Sequence, residues 1–552
     1  MGVECSLRPH LTLIMIVNMK RFILSILALV ALAPLSAQTI FLIGDSTCAN
    51  KPLEGDNQER GWGQVFPALV DQTLKIDNHA INGRSTKSFR AEGRWQRVMD
   101  LVKPGDYIFI QFGHNDEKVQ DSLRYSSPED YGENLRQYVR ESREKGAKPL
   151  LMTPIVRRNW VDGELVDTHK EYPDVVKRVA REEGVPVIDM EAITREWVKS
   201  LGDEPSKGYY LWVEKGTNPR IPKGKKDDTH LNIKGAHVVS RMVAREVMPI
   251  FPELASHFQF PDLVVAKDGS GDFFSIQEAV TALPDFSREE IWLLVRAGSY
   301  YEKVSIPASK RMVKMTGEGA DKSIITFDSY SKQLDMFGRE RGTSGSSTIY
   351  FGGANWQVED ITFANTAGRV GQAVAVQCLA TNVSFKRCRF LGNQDTLYLH
   401  GLGNCDGEVV TNNSIYHFEE CYVEGTTDFI FGSAAAYFDN CEIHSLSDSY
   451  ITAASTCKGQ RQGFVFRDCR LTAAEGVTKC YLGRPWREYA KTWFVDCWMG
   501  EHIRPEGWHN WSKKRAERTV EYGEWGSKGP GAEAAKRVGW ATKLNEKSAR
   551  KL

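Results

Sequence analysis

Ser46 ends the sequence Gly44-Asp45-Ser46, directly after the apolar run Thr39–Gly44. A serine hydroxyl is a weak nucleophile until a base takes its proton. His230, in Asp227-Asp228-Thr229-His230, is suited to that task, and either aspartate could orient and charge-stabilise its imidazole. Two further polar blocks lie between them in the chain: Asn78-His79-Ala80-Ile81-Asn82-Gly83-Arg84-Ser85 and Gly113-His114-Asn115-Asp116. Taken alone the serine is ambiguous, because a Ser at the end of a strand reads equally well as the N-cap of a following helix.

A second set of residues is built on carboxylates. Asp395 stands in Gln394-Asp395-Thr396-Leu397, and Asp428 opens Asp428-Phe429-Ile430-Phe431-Gly432. A carboxylate flanked by apolar residues on a packed strand is costly unless paired. Arg484, in Leu482-Gly483-Arg484-Pro485-Trp486, is a candidate partner. The residues leave two readings open: a buried salt bridge, or two carboxylates whose environments push their pKa values apart for different chemical tasks.

Different elements must position the two sets. From Thr39 to about Pro249 short apolar runs alternate with amphipathic stretches. Thr39–Gly44, Tyr107–Phe112, Leu150–Thr153 and Val185–Asp189 read as buried strands. Tyr131–Lys145, Asp174–Glu183, Ala192–Leu201 and Lys234–Val247 read as helices. This alternation predicts an α/β domain, a parallel sheet flanked by helices, and ligands bind such sheets at the carboxyl ends of the strands.

After about Asp262 helical patterns nearly vanish, Ile276–Leu283 excepted. A phrase recurs instead: Phe385-x-x-Cys388, Phe418-x-x-Cys421, Phe438-x-x-Cys441, Phe466-x-x-Cys469 and Phe494-x-x-Cys497, with Trp356–Ile361 as an earlier version without cysteine. The cysteines are 33, 20, 28 and 28 residues apart. Irregular repeats of this length mark a solenoid. Short strands in each repeat predict an all-β, right-handed parallel β-helix with the Phe and Cys of each phrase stacked inward in columns. The five repeated cysteines then read as buried free thiols acting as small hydrophobes. Cys378, Cys405, Cys457 and Cys480 leave room for a disulfide that spacing cannot assign.

Composition narrows the class. The 552 residues carry 71 basic and 71 acidic side chains, and a balanced charge argues against a nucleic-acid partner. Near the start Lys20-Arg21 precedes the apolar run Phe22 to Ala33 and the small-residue end Pro34-Leu35-Ser36-Ala37. This reads as a signal peptide over residues 1–37, with Met19 an alternative start. The expectation is an exported, periplasmic or secreted chain with no membrane segment in its mature form. The mature chain would hold 68 basic and 70 acidic residues, so its overall field would not attract a polyanion. No CxxC pair, His-rich cluster, HExxH, phosphate-binding loop or GxSxG motif occurs, and no metal or cofactor is expected.

The four blocks around Ser46, Gly83, Asn115 and His230 resemble those of SGNH (GDSL-like) hydrolases, specifically the rhamnogalacturonan acetylesterase branch. The resemblance implies Ser46 as nucleophile, His230 as base and Asp227 as its orienting partner. It also implies an oxyanion hole from the backbone N–H groups of Ser46 and Gly83 and the amide of Asn115. His79 and His114 read as structural, and Arg84 fits either a substrate carboxylate or a surface salt bridge.

The second half resembles pectin methylesterases. The match rests on Gly298-Ser-Tyr300-Tyr-Glu302, Gln372-Ala-Val-Ala-Val376, Gln394-Asp395-Thr-Leu397, Asp428–Gly432 and Leu482–Trp486, with Val376 where the family more often has Leu. The resemblance implies Asp428 as nucleophile, Asp395 as general acid and base, and Gln372 and Gln394 as oxyanion donors. It assigns Arg484 to holding Asp428 and Trp486 to stacking on a sugar, with a core Trp the alternative. Tyr300 and Glu302 read as structural.

Together these imply a signal peptide at 1–37, an acetylesterase domain at 39–255 and a methylesterase β-helix at 260–545. The expected partner is pectin: methylated homogalacturonan for one half, acetylated rhamnogalacturonan for the other. The alternative is one working esterase joined to a degenerate carbohydrate-binding half.

Overall fold

The computed structural model describes residues 38–402 and 414–552; the expected signal peptide and Cys405 lie outside them. Among the described residues no helix is long and apolar enough to cross a membrane. The chain divides into two compact units. The first runs to Ala49 and includes Val70–Val156 and Val166–Glu196; the second comprises Asn50–Leu69, Arg157–Leu165 and Trp197–Leu552.

The first unit is built on a five-stranded parallel sheet. In spatial order its strands are Lys75–Asn78, Thr39–Gly44, Tyr107–Gln111, Lys148–Met152 and Val187–Ile188. The three central strands are buried almost throughout, as continuous apolar runs require when both faces of a sheet are covered. One face packs through Phe41, Ile43, Ile108, Ile110 and Leu151 against Tyr131, Leu135 and Val139 of helix Pro128–Glu144 and Val175, Val176 and Val179 of helix Tyr172–Glu183. Ser127 caps the first of these helices by accepting from the Asp130 N–H, and proline at its start costs no hydrogen bond.

Most of the second unit is a parallel β-helix of three sheets with ten, eight and seven strands. From Gly298 to Met499 successive strands visit the three sheets in turn, so each coil stacks in parallel register on the one before. The recurring phrase explains the coil. Its Phe lies at the end of a first-sheet strand. The residue before its Cys takes a left-handed backbone, with φ between 51° and 54° at Arg387, Glu420, Asn440, Asp468 and Asp496. Asp360, in the version without cysteine, does the same at φ 59°. That single residue turns the chain into the second sheet. Asn and Asp tolerate this region; Arg387 and Glu420 cost about 1 kcal/mol or more there. Arg387 regains stability by forking onto Asp360, the corner residue one coil earlier, at 2.8 and 2.7 Å.

Inside the coil the two columns form as expected. Phe385, Phe418, Phe438, Phe466 and Phe494 stack with ring centroids 5.0, 4.5, 4.5 and 4.5 Å apart. Each contact adds about 0.5–1.5 kcal/mol beyond its area burial. The thiols of Cys421, Cys441, Cys469 and Cys497 donate to the carbonyls of Phe385, Phe418, Phe438 and Phe466 on the preceding coil, at 3.2–3.5 Å. All five repeat cysteines are free and buried, as are Cys378 and Cys480, whereas Cys457 is disulfide-bonded. Tyr300 and Glu302 serve the fold. The Tyr300 hydroxyl bonds the carbonyls of Val265 and Arg296, and Glu302 accepts from the first N–H groups of helix Ile276–Ala282.

Candidate active sites

Asp395 and Asp428 open a shared cleft on the β-helix, each at the corner before a third-sheet strand. Both take left-handed backbone, φ 69° and 49°. Asp395 donates its N–H to the carbonyl of Thr427, and Asp428 donates its own to that of Tyr450, so the two carboxyls recur on neighbouring coils. The cleft has a volume of about 530 Å³. Gln372, Gln394, Arg484, Trp486 and Trp511 line it with the two aspartates.

Arg484 holds Asp428 with a two-toothed grip, Nε to Oδ1 at 2.9 Å and Nη2 to Oδ2 at 2.6 Å. Its guanidinium is itself held between the rings of Tyr450 and Trp511, at 3.9 and 3.7 Å from their centroids. Burial pushes the Asp395 carboxyl up to about 8, with the negative charge of Asp428 adding to the rise. Burial raises Asp428 as well, but the fork to Arg484 opposes it. Asp428 is therefore the anion of the pair, and Asp395 carries a proton at neutral pH.

Gln372 and Gln394 pair across adjacent coils, which brings their side chains to the same wall. Trp486 is half-buried, packing on Phe431 and Tyr398 with centroids 5.8 and 6.3 Å away. Tyr398 and Phe431 stack at 4.3 Å and floor the cleft. Sequence reasoning did not find Tyr398, Phe431, Tyr450 or Trp511. The first two alternate with named motif residues on strands and were legible as cleft-facing in principle; the last two carry no motif.

In the second unit, Asp227 and His230 lie on strand Lys225–Leu231. Asp227 Oδ2 meets His230 Nδ1 at 2.8 Å, while its Oδ1 accepts the backbone N–H groups of Thr229 and His230, each at 2.9 Å. Hydrogen bonding and charge from His230 and Lys225 overcome burial and hold the Asp227 carboxyl well below the usual range. Asp228 is engaged elsewhere, with Arg158 Nε at 2.8 Å and Trp212 Nε1 at 2.9 Å. Of the two aspartates left open by the residues, Asp227 is the one paired with the histidine.

In the first unit, Ser46 is half-exposed in the turn after the first strand, at the carboxyl end of the sheet. The preceding Asp45 is fully buried; it accepts from Thr47 and pairs with His114 Nδ1 at 3.0 Å, which fixes the turn. Gly83 has φ 74°, a left-handed conformation that frees its loop to turn beside that strand end. Ile81 of the same loop donates its N–H to the Gly44 carbonyl at 3.1 Å. Asn115 is buried, its amide donating to the Arg84 carbonyl at 3.0 Å and accepting from Lys118 at 2.8 Å. Arg84 grips Glu92 through Nε and Nη2 at 3.0–3.1 Å, the surface salt bridge of its two readings. His79 pairs with Asp77 at 3.1 Å.

Among the described residues no group of three or more His, Cys, Asp or Glu could hold a metal ion.

The cleft thus sets an arginine-held carboxylate beside a protonated one on a parallel β-helix. Residues 262–552 match the family model Pectinesterase, and residues 42–238 match the GDSL-like Lipase/Acylhydrolase family. The chain belongs to the pectinesterase family and is a carboxylic ester hydrolase. It is 33% identical over 291 residues to Pectinesterase 31 of Arabidopsis thaliana, covering 52% of this chain and 88% of that one. It is 37% identical over 293 residues to a pectinesterase/pectinesterase inhibitor of Ficus pumila var. awkeotsang, covering 51% of this chain and 50% of that one. Among solved structures, pectin methylesterase from carrot is similar at 34% identity and a TM-score of 0.46, over 51% of this chain and 86% of that one.

Proposed function

We propose that this protein is a bifunctional esterase of pectin that releases methanol at the carboxylate site and acetate at the serine site. The observation that carries the first activity is the fork of Arg484 on Asp428 beside a protonated Asp395. Asp428 attacks the methyl-ester carbonyl. Gln372 and Gln394 donate to the oxyanion that forms. Asp395 gives its proton to the departing methoxide, leaving an anhydride between Asp428 and the sugar carboxyl. Asp395, now a base, takes a proton from water, which opens the anhydride and restores both groups. Trp486 supplies an apolar face for a sugar ring.

The second activity rests on the Asp227–His230 pair and on the match of residues 42–238 to a GDSL-like acylhydrolase model. His230 takes the proton of Ser46 as its hydroxyl attacks the acetyl carbonyl, and Asp227 stabilises the imidazolium; His230 returns that proton to the departing sugar oxygen, then deprotonates the water that splits acetyl-Ser46 into acetate and free serine. The N–H groups of Ser46 and Gly83 and the Asn115 amide receive the oxyanion. Acetylated rhamnogalacturonan is the substrate class the sequence resemblance favours. The pattern Lys20 to Ala37 supports export to the periplasm or beyond.

The test is product analysis from native pectin. Methanol and acetate are both expected. Methanol alone would remove the second activity, and acetate alone the first.

A further inference from the structure

A basic groove lies on the second unit next to the Asp227–His230 pair. It has a volume of about 750 Å³. Five lysines line it, Lys207, Lys215, Lys223, Lys225 and Lys226, against two acids, Glu204 and Glu214. Lys207 pairs with Glu204, and Lys225 bonds Asp227 at 2.8 Å. Lys215, Lys223 and Lys226 are exposed and, among the described residues, make no ion pair. The positive charge of the groove is thus largely uncompensated.

Trp212 organises this charge without neutralising it. Its Nε1–H is fixed on Asp228, and its ring lies 4.5 Å from Lys207 Nζ and 5.5 Å from Lys226 Nζ. An aromatic face attracts an ammonium through its quadrupole and leaves the full charge available to a ligand. Lys226 and His230 share one strand, and four residues of strand span about 13 Å. An oligomer bound along the groove would therefore extend from the lysines toward the histidine.

We propose that this groove is a subsite for an acidic polysaccharide, binding free carboxylates of a polyuronate whose acetyl ester is presented at the neighbouring Asp227–His230 pair. This rests on the ester-hydrolase reading of Asp227 and His230. A methyl ester carries no charge, so the groove would recognise the polymer only where its carboxylates are free.

The test uses the full chain and the triple variant Lys215→Ala/Lys223→Ala/Lys226→Ala. For acetylated rhamnogalacturonan, whose uronate carboxylates are free, the variant's KM for acetate release should rise about tenfold, and its salt dependence should weaken. Release of acetate from p-nitrophenyl acetate, and of methanol from methylated pectin, should stay within about twofold of wild type. An unchanged KM on the acidic polymer overturns the proposal, as does an equal loss on p-nitrophenyl acetate. Calorimetric titration with hexagalacturonate separates this from the catalytic reading. Two classes of site are expected in the wild type and one in the variant, whether or not acetate is ever released. One class in both proteins overturns the groove. Two classes with no acetate from any substrate would overturn the serine-esterase reading alone.

Discussion

Asp395 donates its backbone N–H to the carbonyl of Thr427, the residue before Asp428, so two left-handed corners place two carboxyls in one cleft while Arg484 grips only the second. The asymmetry divides the labour: one group stays an anion and the other keeps its proton.

Asp428→Asn should abolish methanol release and leave acetate release intact, because an amide cannot serve as this nucleophile. Ser46→Ala should do the reverse. Methanol and acetate measured separately on purified, folded variants decide the matter. Loss of both products from either substitution would mean that the sites do not act independently.

Arg484→Lys keeps the charge and loses the planar fork. Methanol release should fall tenfold or more, equivalent to about 1.4 kcal/mol of barrier stabilisation. Thermal stability should move little. A rate near wild type would show that the fork's geometry is not needed.

Methanol release should decline as pH rises through about 8, where Asp395 loses the proton it gives to the leaving group. Stability should follow the same group. The folded chain keeps this proton to about pH 8, whereas an unfolded aspartate loses it near its ordinary 3.8. The native state therefore binds more protons across that window, and stability falls as pH rises through it. Asp395→Asn should flatten this decline in urea midpoints measured from pH 4 to 8. An unchanged slope would move the buried proton elsewhere.

Cys388, Cys421, Cys441, Cys469 and Cys497 should resist thiol reagents in the native protein and react after denaturation without reductant. All five are buried, which keeps reagents from the sulfurs, and burial also pushes the thiols of Cys421, Cys441 and Cys497 well above their usual range. Rapid native labelling, followed by mass mapping, would refute the buried column.

The β-helix was legible because its repeat is in phase: Phe and Cys recur at one spacing, and a column is the only way to bury them all. Asp395, Asp428 and Arg484 were legible because each sits in a short motif with one obvious electrostatic need. Tyr450 and Trp511 were not. They reach Arg484 from two different segments, and no spacing rule links residues that meet only across the cleft. Strand Lys75–Asn78 was missed for another reason: it is the sheet's edge, partly exposed, and its sequence Lys-Ile-Asp-Asn lacks the apolar run that marked its neighbours. Between Asp227 and Asp228 the residues by themselves left a choice that the resemblance made for Asp227, and the partners of Asp228, Arg158 and Trp212, show why Asp228 is occupied elsewhere.

From Trp356 on, the first and second sheets are joined each time by two residues, the first of them left-handed, and adding one there would throw the following strand onto the wrong face. The unequal spacings of the cysteines, 33, 20, 28 and 28 residues, must then be absorbed at the other two corners. The solenoid is a spool with one sewn seam and two loose ones. Asp395 and Asp428 lie along a loose seam, so the walls of their cleft can be lengthened or cut back by loop grafting while the sewn seam keeps the coils in register.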